Sequence, residues 1–163
     1  MKRQLVILVI TSIAMISSGN KVGDNREIEL PIEIEAKPVK SVMPEEQLIT
    51  AIIQVESRGN DSAVGDKHLV GAEAVGALQI RPIMVREVNR ILKLKRSEIR
   101  FNLKDRWDRE KSIEMFQIWK EFHHEDDDFE TIARNWNGGP NGYKNSRTER
   151  YWLKVEKELE IYN

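Results

Sequence analysis

Glu56 closes the apolar run of "IIQVES", residues 52 to 57, where a helix is about to stop. By helical geometry it sits one position beyond Val55, on a helix whose apolar face points into a core, so its carboxylate emerges at the core's edge. A carboxyl group in such a place is partly desolvated, and desolvation favours the neutral acid by raising its pKa. A carboxyl that is still protonated near neutral pH is a general acid. An isolated helix-end glutamate is far more often an ordinary solvated side chain, so a role for Glu56 needs support from elsewhere in the chain.

Other reactive residue types read as structure. His123-His124 stands beside "EDDD", residues 125 to 128, and has the composition of a metal cluster. The residues are consecutive rather than on one helical face, so the stretch reads as a solvated loop that caps the next helix, and no metal site is expected. His68 lacks the Asp or Ser context of a triad base. The chain contains no cysteine, which excludes disulfides, thiolate metal sites, a cysteine nucleophile and a lipid-modified cysteine anchor.

The elements that must position Glu56 are mostly helical. Pro44 suits a first helical position, Glu45 and Glu46 suit the positive end of the helix dipole, and Leu48, Ile52 and Val55 share one face. Gly59 can end that helix. Residues 61 to 79, "DSAVGDKHLVGAEAVGALQ", lack a helical period and read as loop plus a short hairpin. Pro82 opens a second helix carrying Met84, Val88, Ile91 and Leu92. A third starts near Asp105 or Asp108 and buries Met115, Ile118, Trp119 and Phe122. Phe129, Ile132, Ala133 and Trp136 mark a fourth, stopped by "GGP", and the last runs from an N-cap at about Thr148 through Trp152, Val155 and Leu159. Trp107, Trp119 and Trp152 fall within helical segments and read as core packing.

The 163 residues suffice for one domain with a real core. Met1-Lys2-Arg3, the apolar run from Leu5 to Ile16 and the small residues Ser17, Ser18 and Gly19 form a signal-peptide pattern over residues 1–19. Its apolar run is shorter than the ~20 residues that span a bilayer, so cleavage and a periplasmic or secreted product free of the membrane are expected. Residues 20–43, with Pro31 and Pro38 interrupting an alternating acidic stretch, read as an extended linker or edge segment before a domain at 44–163. Loss of Lys2 and Arg3 with the leader moves the formal charge from -1 to -3, which gives no electrostatic case for nucleic acid or an anionic membrane as partner. A monomer is expected.

Four stretches then occur in order: "ESRGNDSAVG" at 56 to 65, "GALQIRP" at 76 to 82, "NWNGGP" at 135 to 140 and "TERYWLKV" at 148 to 155. This set resembles the motifs of the soluble lytic transglycosylases of the lysozyme-like superfamily. Those are Glu-Ser followed by a loop Ala, Gly-Leu-Met-Gln-Ile-x-Pro, Tyr-Asn-Ala-Gly, and Glu-Thr-x-x-Tyr-Val-x-Lys/Arg-Val. The resemblance spans roughly residues 45 to 157, and four motifs in one order are far more specific than any one of them.

It implies a mainly α, lysozyme-like (α+β) fold, a helical domain with a small hairpin or loop insertion after the helix that carries the catalytic glutamate. It also implies peptidoglycan glycan strands as partner and no cofactor. Residue by residue, Glu56 matches the catalytic acid and Ser57 a residue that hydrogen-bonds within the active site. Ala63 matches the buried loop alanine, and Gly76 and Gln79 the second motif, with Gln79 lining the glycan groove. Trp136, Asn137 and Gly138 match the third motif, with Asn137 as a contact to an N-acetyl group, and Tyr151 matches the tyrosine near the acid. The loop between Ala63 and Gly76 is longer than in the family, Leu-Met-Gln appears as "ALQ", and Trp136 replaces tyrosine.

The longer loop bears on the chemistry. Glycoside hydrolysis normally uses a second carboxylate, as nucleophile at about 5 Å or as base for water at about 6.5–9.5 Å. Asp66 and Glu73 are the candidates, and each also reads blandly, Asp66 as a turn former and Glu73 as a solvated hairpin residue. Three readings stay open: a transglycosylase with Glu56 as lone acid and a 1,6-anhydromuramoyl product, a muramidase similar to goose-type lysozymes, and a catalytically silent cell-wall binding module.

Overall fold

The computed structural model describes residues 44–162, so the leader and the extended segment expected before Pro44 lie outside the described residues. Helix α1 (Pro44–Ser57) begins with Glu45 and Glu46 in its first turn and carries the core residues Leu48, Ile49, Ala51, Ile52 and Ile53. Arg58 and Gly59 both take positive φ, 55° and 76°, which breaks the helix immediately after Glu56 and Ser57.

The insertion that follows is a minimal hairpin, β1 (Val64–Gly65) antiparallel to β2 (Ala74–Val75), with Val64 opposite Val75 and Gly65 opposite Ala74. Two residues per strand cannot hold themselves together in water, so the hairpin depends on side chains that reach it from elsewhere. Buried Arg106 supplies one such tie. Its guanidinium donates to the carbonyls of Glu73 (3.0 Å) and Ile80 (3.1 Å), while its Nε donates to Leu103 O (2.9 Å). Gly76 (φ 79°) lies against this segment so closely that a Cβ there would stand 1.9 Å from the Arg106 carbonyl oxygen.

Helix α2 (Pro82–Leu94) starts on Pro82 and buries Val85, Val88, Ile91 and Leu92. Asn89 on this helix exchanges hydrogen bonds with both the N–H (2.9 Å) and the carbonyl (2.8 Å) of Phe101, fixing the return of the chain into a 3₁₀ turn at Leu103–Trp107. Helix α3 (Arg109–His123) is capped by Asp108, whose side chain accepts from Lys111 N, and α4 (Phe129–Gly138) by Asp128, which accepts from Thr131 N. Such caps satisfy amide donors that the first turn otherwise leaves open. Helix α5 (Glu149–Leu159) completes the set.

The core is built from α1 packed on α5, α5 on α4, and α2 on α3. Leu48, Ile52, Leu78, Val88, Met115, Phe116, Ile132 and Val155 are fully enclosed there, and each side chain of this kind contributes about 1.5–3 kcal/mol by leaving water. Among the described residues no helix is long and apolar enough to cross a membrane.

Several local expectations change. Phe122 is 40% exposed rather than buried, because Trp119 and Phe116 already fill the interior side of α3. Trp107 is 42% exposed, at the end of the 3₁₀ turn rather than in a core-facing helix. Thr148 makes no side-chain cap for α5. Its hydroxyl donates to the carbonyls of Gly142 and Asn145 and accepts from Arg134 Nε, so it ties the α4–α5 connection together instead.

Candidate active site

Glu56 stands at the last turn of α1, with its carboxyl half-buried at a cleft of about 900 Å³. The cleft runs between the hairpin with the start of α2 on one side and α3 with the end of α4 on the other. Tyr151, buried on α5, donates its hydroxyl to Glu56 Oε1 at 2.8 Å. Burial pushes the Glu56 carboxyl up from 4.5 to about 7; the Tyr151 hydrogen bond pulls the other way, and the Asp66 charge adds to the rise while Arg81 and Lys154 oppose it. Near neutral pH Glu56 is therefore both protonated in a sizeable fraction of molecules and able to take a proton back, the property a general acid–base needs.

The hairpin brings Asp66 to the same cleft. Asp66 has φ 49°, a left-handed conformation that Asp tolerates better than most residues, and its carbonyl closes a turn by accepting from Leu69 N at 2.8 Å. Its carboxylate forms an ion pair with Arg81, which precedes α2. Glu73, the other candidate for a second carboxylate, is not among the cleft-lining residues. Hydrogen bonds from its own amide and that of Gly71 hold its carboxyl below the usual range, and its backbone carbonyl serves Arg106.

Gln79 lines the cleft, but its amide group is committed to the hairpin: Nε2 donates to the carbonyls of Gly76 (2.9 Å) and Ala63 (3.3 Å). Its Oε1 sits where a Cβ on Gly65 would come within 2.3 Å, so Gly65 is the residue that admits it. Ser57 does not line the cleft; its hydroxyl donates back to Ile53 O at 3.2 Å within α1. Trp136, Asn137 and Gly138 all reach the cleft from the end of α4, whereas Tyr151 acts from behind it through Glu56.

The opposite wall contains groups that sequence reasoning assigned elsewhere. His124 is 7% exposed rather than solvated, with its ring 4.5 Å from that of Trp119, and its Nδ1 is 2.7 Å from Asp127. His123 pairs with Glu87 at 2.7 Å, and Glu87 is also gripped by Arg90 through both carboxylate oxygens. The Arg90 and His123 partners bring the Glu87 carboxyl down to about 2. Trp119 and Trp136 meet edge to face at 5.2 Å, so Trp119 is at once core and cleft wall. A signal for this wall existed in the i, i+4 spacing of Trp119 and His123, but nothing local says that α2 will carry Glu87 to meet them. Among the described residues no three metal-ligating side chains gather.

Helices enclosing a cleft around one protonatable glutamate, with a minor hairpin on one flank, define a mainly α, lysozyme-like domain. The family model described as the transglycosylase SLT domain matches residues 34–157, most of the chain, and the protein belongs to that family. At family level this is a lytic transglycosylase-type function directed at peptidoglycan. Comparison with curated proteins returns no match.

Proposed function

We propose that the protein is a peptidoglycan lytic transglycosylase, acting outside the cytoplasm, with Glu56 as its single acid and base. One observation carries this reading: Glu56 has a carboxyl raised to about 7, while both other carboxylates lining the cleft, Asp66 and Glu87, are occupied by cations. A lone acid suits a reaction in which the substrate supplies the remaining groups.

Glu56 donates its proton to the β-1,4 oxygen between N-acetylmuramic acid and N-acetylglucosamine, and that oxygen leaves with the N-acetylglucosamine side. The 2-acetamido group of the muramoyl residue stabilises the electron-poor C1 in place of a protein nucleophile. Glu56, now ionised, takes the proton of the muramoyl C6 hydroxyl as its oxygen bonds to C1, which yields the 1,6-anhydro product and restores the acid. Tyr151 holds the carboxyl through both stages, and in this reading Asn137 and Trp136, which line the cleft, contact the glycan.

The presence of Asp66 in the cleft, close enough to influence Glu56, favours a muramidase as the second reading. Mass spectrometry of soluble fragments after incubation with peptidoglycan separates the two. Anhydromuropeptides from the parent and none from Glu56→Gln are the expected result. Reducing-end muropeptides establish the hydrolase, and unaltered peptidoglycan with both proteins leaves a binding module.

A further inference from the structure

Three carboxylates line the cleft, and their partners differ in kind. Glu56 faces a neutral hydroxyl, Glu87 is held by Arg90 and His123, and Asp66 is held by Arg81. Asp66 lines the cleft from the hairpin and its charge is felt by Glu56, whereas Glu87 is drawn to His123 on the opposite wall, so Asp66 is the candidate base for an attacking water. The backbone around it is tightly determined. Asp66 and Gln79 both take positive φ, Gln79 is fastened to Ala63 and Gly76, and Gly65 is packed under the Gln79 amide. Arg81 follows two residues after Gln79 in extended conformation (φ -87°, ψ 156°), which carries its side chain back toward Asp66 from the mouth of α2. The hairpin and the start of α2 thus present a carboxylate with its guanidinium already in place.

We propose that Arg81 is a positioning residue that decides the product: by holding Asp66 it keeps the second carboxylate of the cleft from activating water, so that the sugar's own C6 hydroxyl closes on C1. This rests on the transglycosylase reading and says what separates it from hydrolysis in this fold. In the competing branch Asp66 takes one proton from water, the water oxygen bonds to C1, and the proton that Glu56 delivered stays on the leaving oxygen; the product is a reducing muramoyl end. The two branches share the first step and differ only in whose hydroxyl attacks. An Asp66 oxygen engaged by a guanidinium has lost an acceptor site for the water, and rotation to recover it breaks the ion pair.

The test compares the full-length parent with Arg81→Gln, Asp66→Asn and the double variant, each digested with purified peptidoglycan. The readout is the ratio of hydrated to anhydro muropeptides, which does not depend on overall rate. Arg81→Gln is expected to raise that ratio by about a hundred-fold or more, the lower end of what a released general base can supply, and to move the alkaline limb of the pH–rate profile upward because the Asp66 charge now acts on Glu56 without its counter-charge. The double variant returns the ratio to the parent's, and Asp66→Asn alone leaves it there. Arg81→Met, which keeps the aliphatic stem, reproduces the Arg81→Gln shift and guards against a folding artefact. An unchanged ratio in both Arg81 variants overturns the proposal, as does a raised ratio that persists in the double variant. A parent that releases only hydrated product refutes the transglycosylase reading itself, a result distinct from either of these.

Discussion

Replacing Glu56 with glutamine should stabilise the fold, and more so as the pH rises. The carboxyl titrates at about 7 in the folded protein against 4.5 ordinarily, because burial penalises its charged form. The folded value is the higher one, so the stabilising contribution of the neutral acid is fully present below pH 4.5 and is lost as the pH rises through about 7. Each pH unit between the two values is worth about 1.4 kcal/mol, which makes the whole loss about 3 kcal/mol. Glutamine has nearly the same shape, offers Tyr151 an oxygen acceptor, and never ionises. The difference in unfolding free energy between Glu56→Gln and the parent is therefore expected to grow by about 3 kcal/mol between about pH 4 and about pH 8, or on the order of 10 °C in Tm for a domain of this size. Urea titrations of both proteins at a series of pH values measure it directly. Parallel stability curves would refute the claim that the fold desolvates this carboxyl, and with it the basis for calling Glu56 an acid at neutral pH.

Tyr151→Phe removes the hydrogen bond that lowers the Glu56 pKa, so the alkaline limb of the pH–rate profile moves upward while turnover at its optimum falls by roughly ten-fold, the equivalent of one hydrogen bond to the reacting carboxyl. Gly76→Ala drives a Cβ to within 1.9 Å of the Arg106 carbonyl oxygen at a positive φ, and is expected to cost more than about 3 kcal/mol in thermal or urea unfolding and to abolish cleavage with it.

The helices were legible because their signals are local. Pro44 and Pro82 open α1 and α2, Asp108 and Asp128 cap α3 and α4, and the apolar stripes of all five elements follow the helical period. The position of Glu56 at the rim of the core was legible for a related reason, since the stripe that buries Ile52 and Ile53 carries the chain to a charged residue there. What escaped depends on partners distant in sequence. Arg106 reaches back 33 residues to Glu73 O, and His123 meets Glu87 across 36, and no periodicity encodes such meetings. His124 looked solvated because its neighbours are acidic, yet the edge-to-face rings of Trp119 and Trp136 create an interior surface that a histidine can cover. Gln79 was placed in the groove by motif alone, and only the geometry of Gly65 and Ala63 assigns its amide to holding the hairpin.

The separation of 95 positions between Glu56 and Tyr151 has a consequence for when the acid forms during biosynthesis. While a nascent chain is incomplete, Glu56 is a solvated glutamate that ionises as any other does and has no proton to deliver near neutral pH. The acid comes into being when α5 docks on α1 and folding buries the carboxyl, a rise that the Tyr151 hydrogen bond tempers. Folding completion is thus the event that creates the protonated acid, which the unfinished polypeptide lacks.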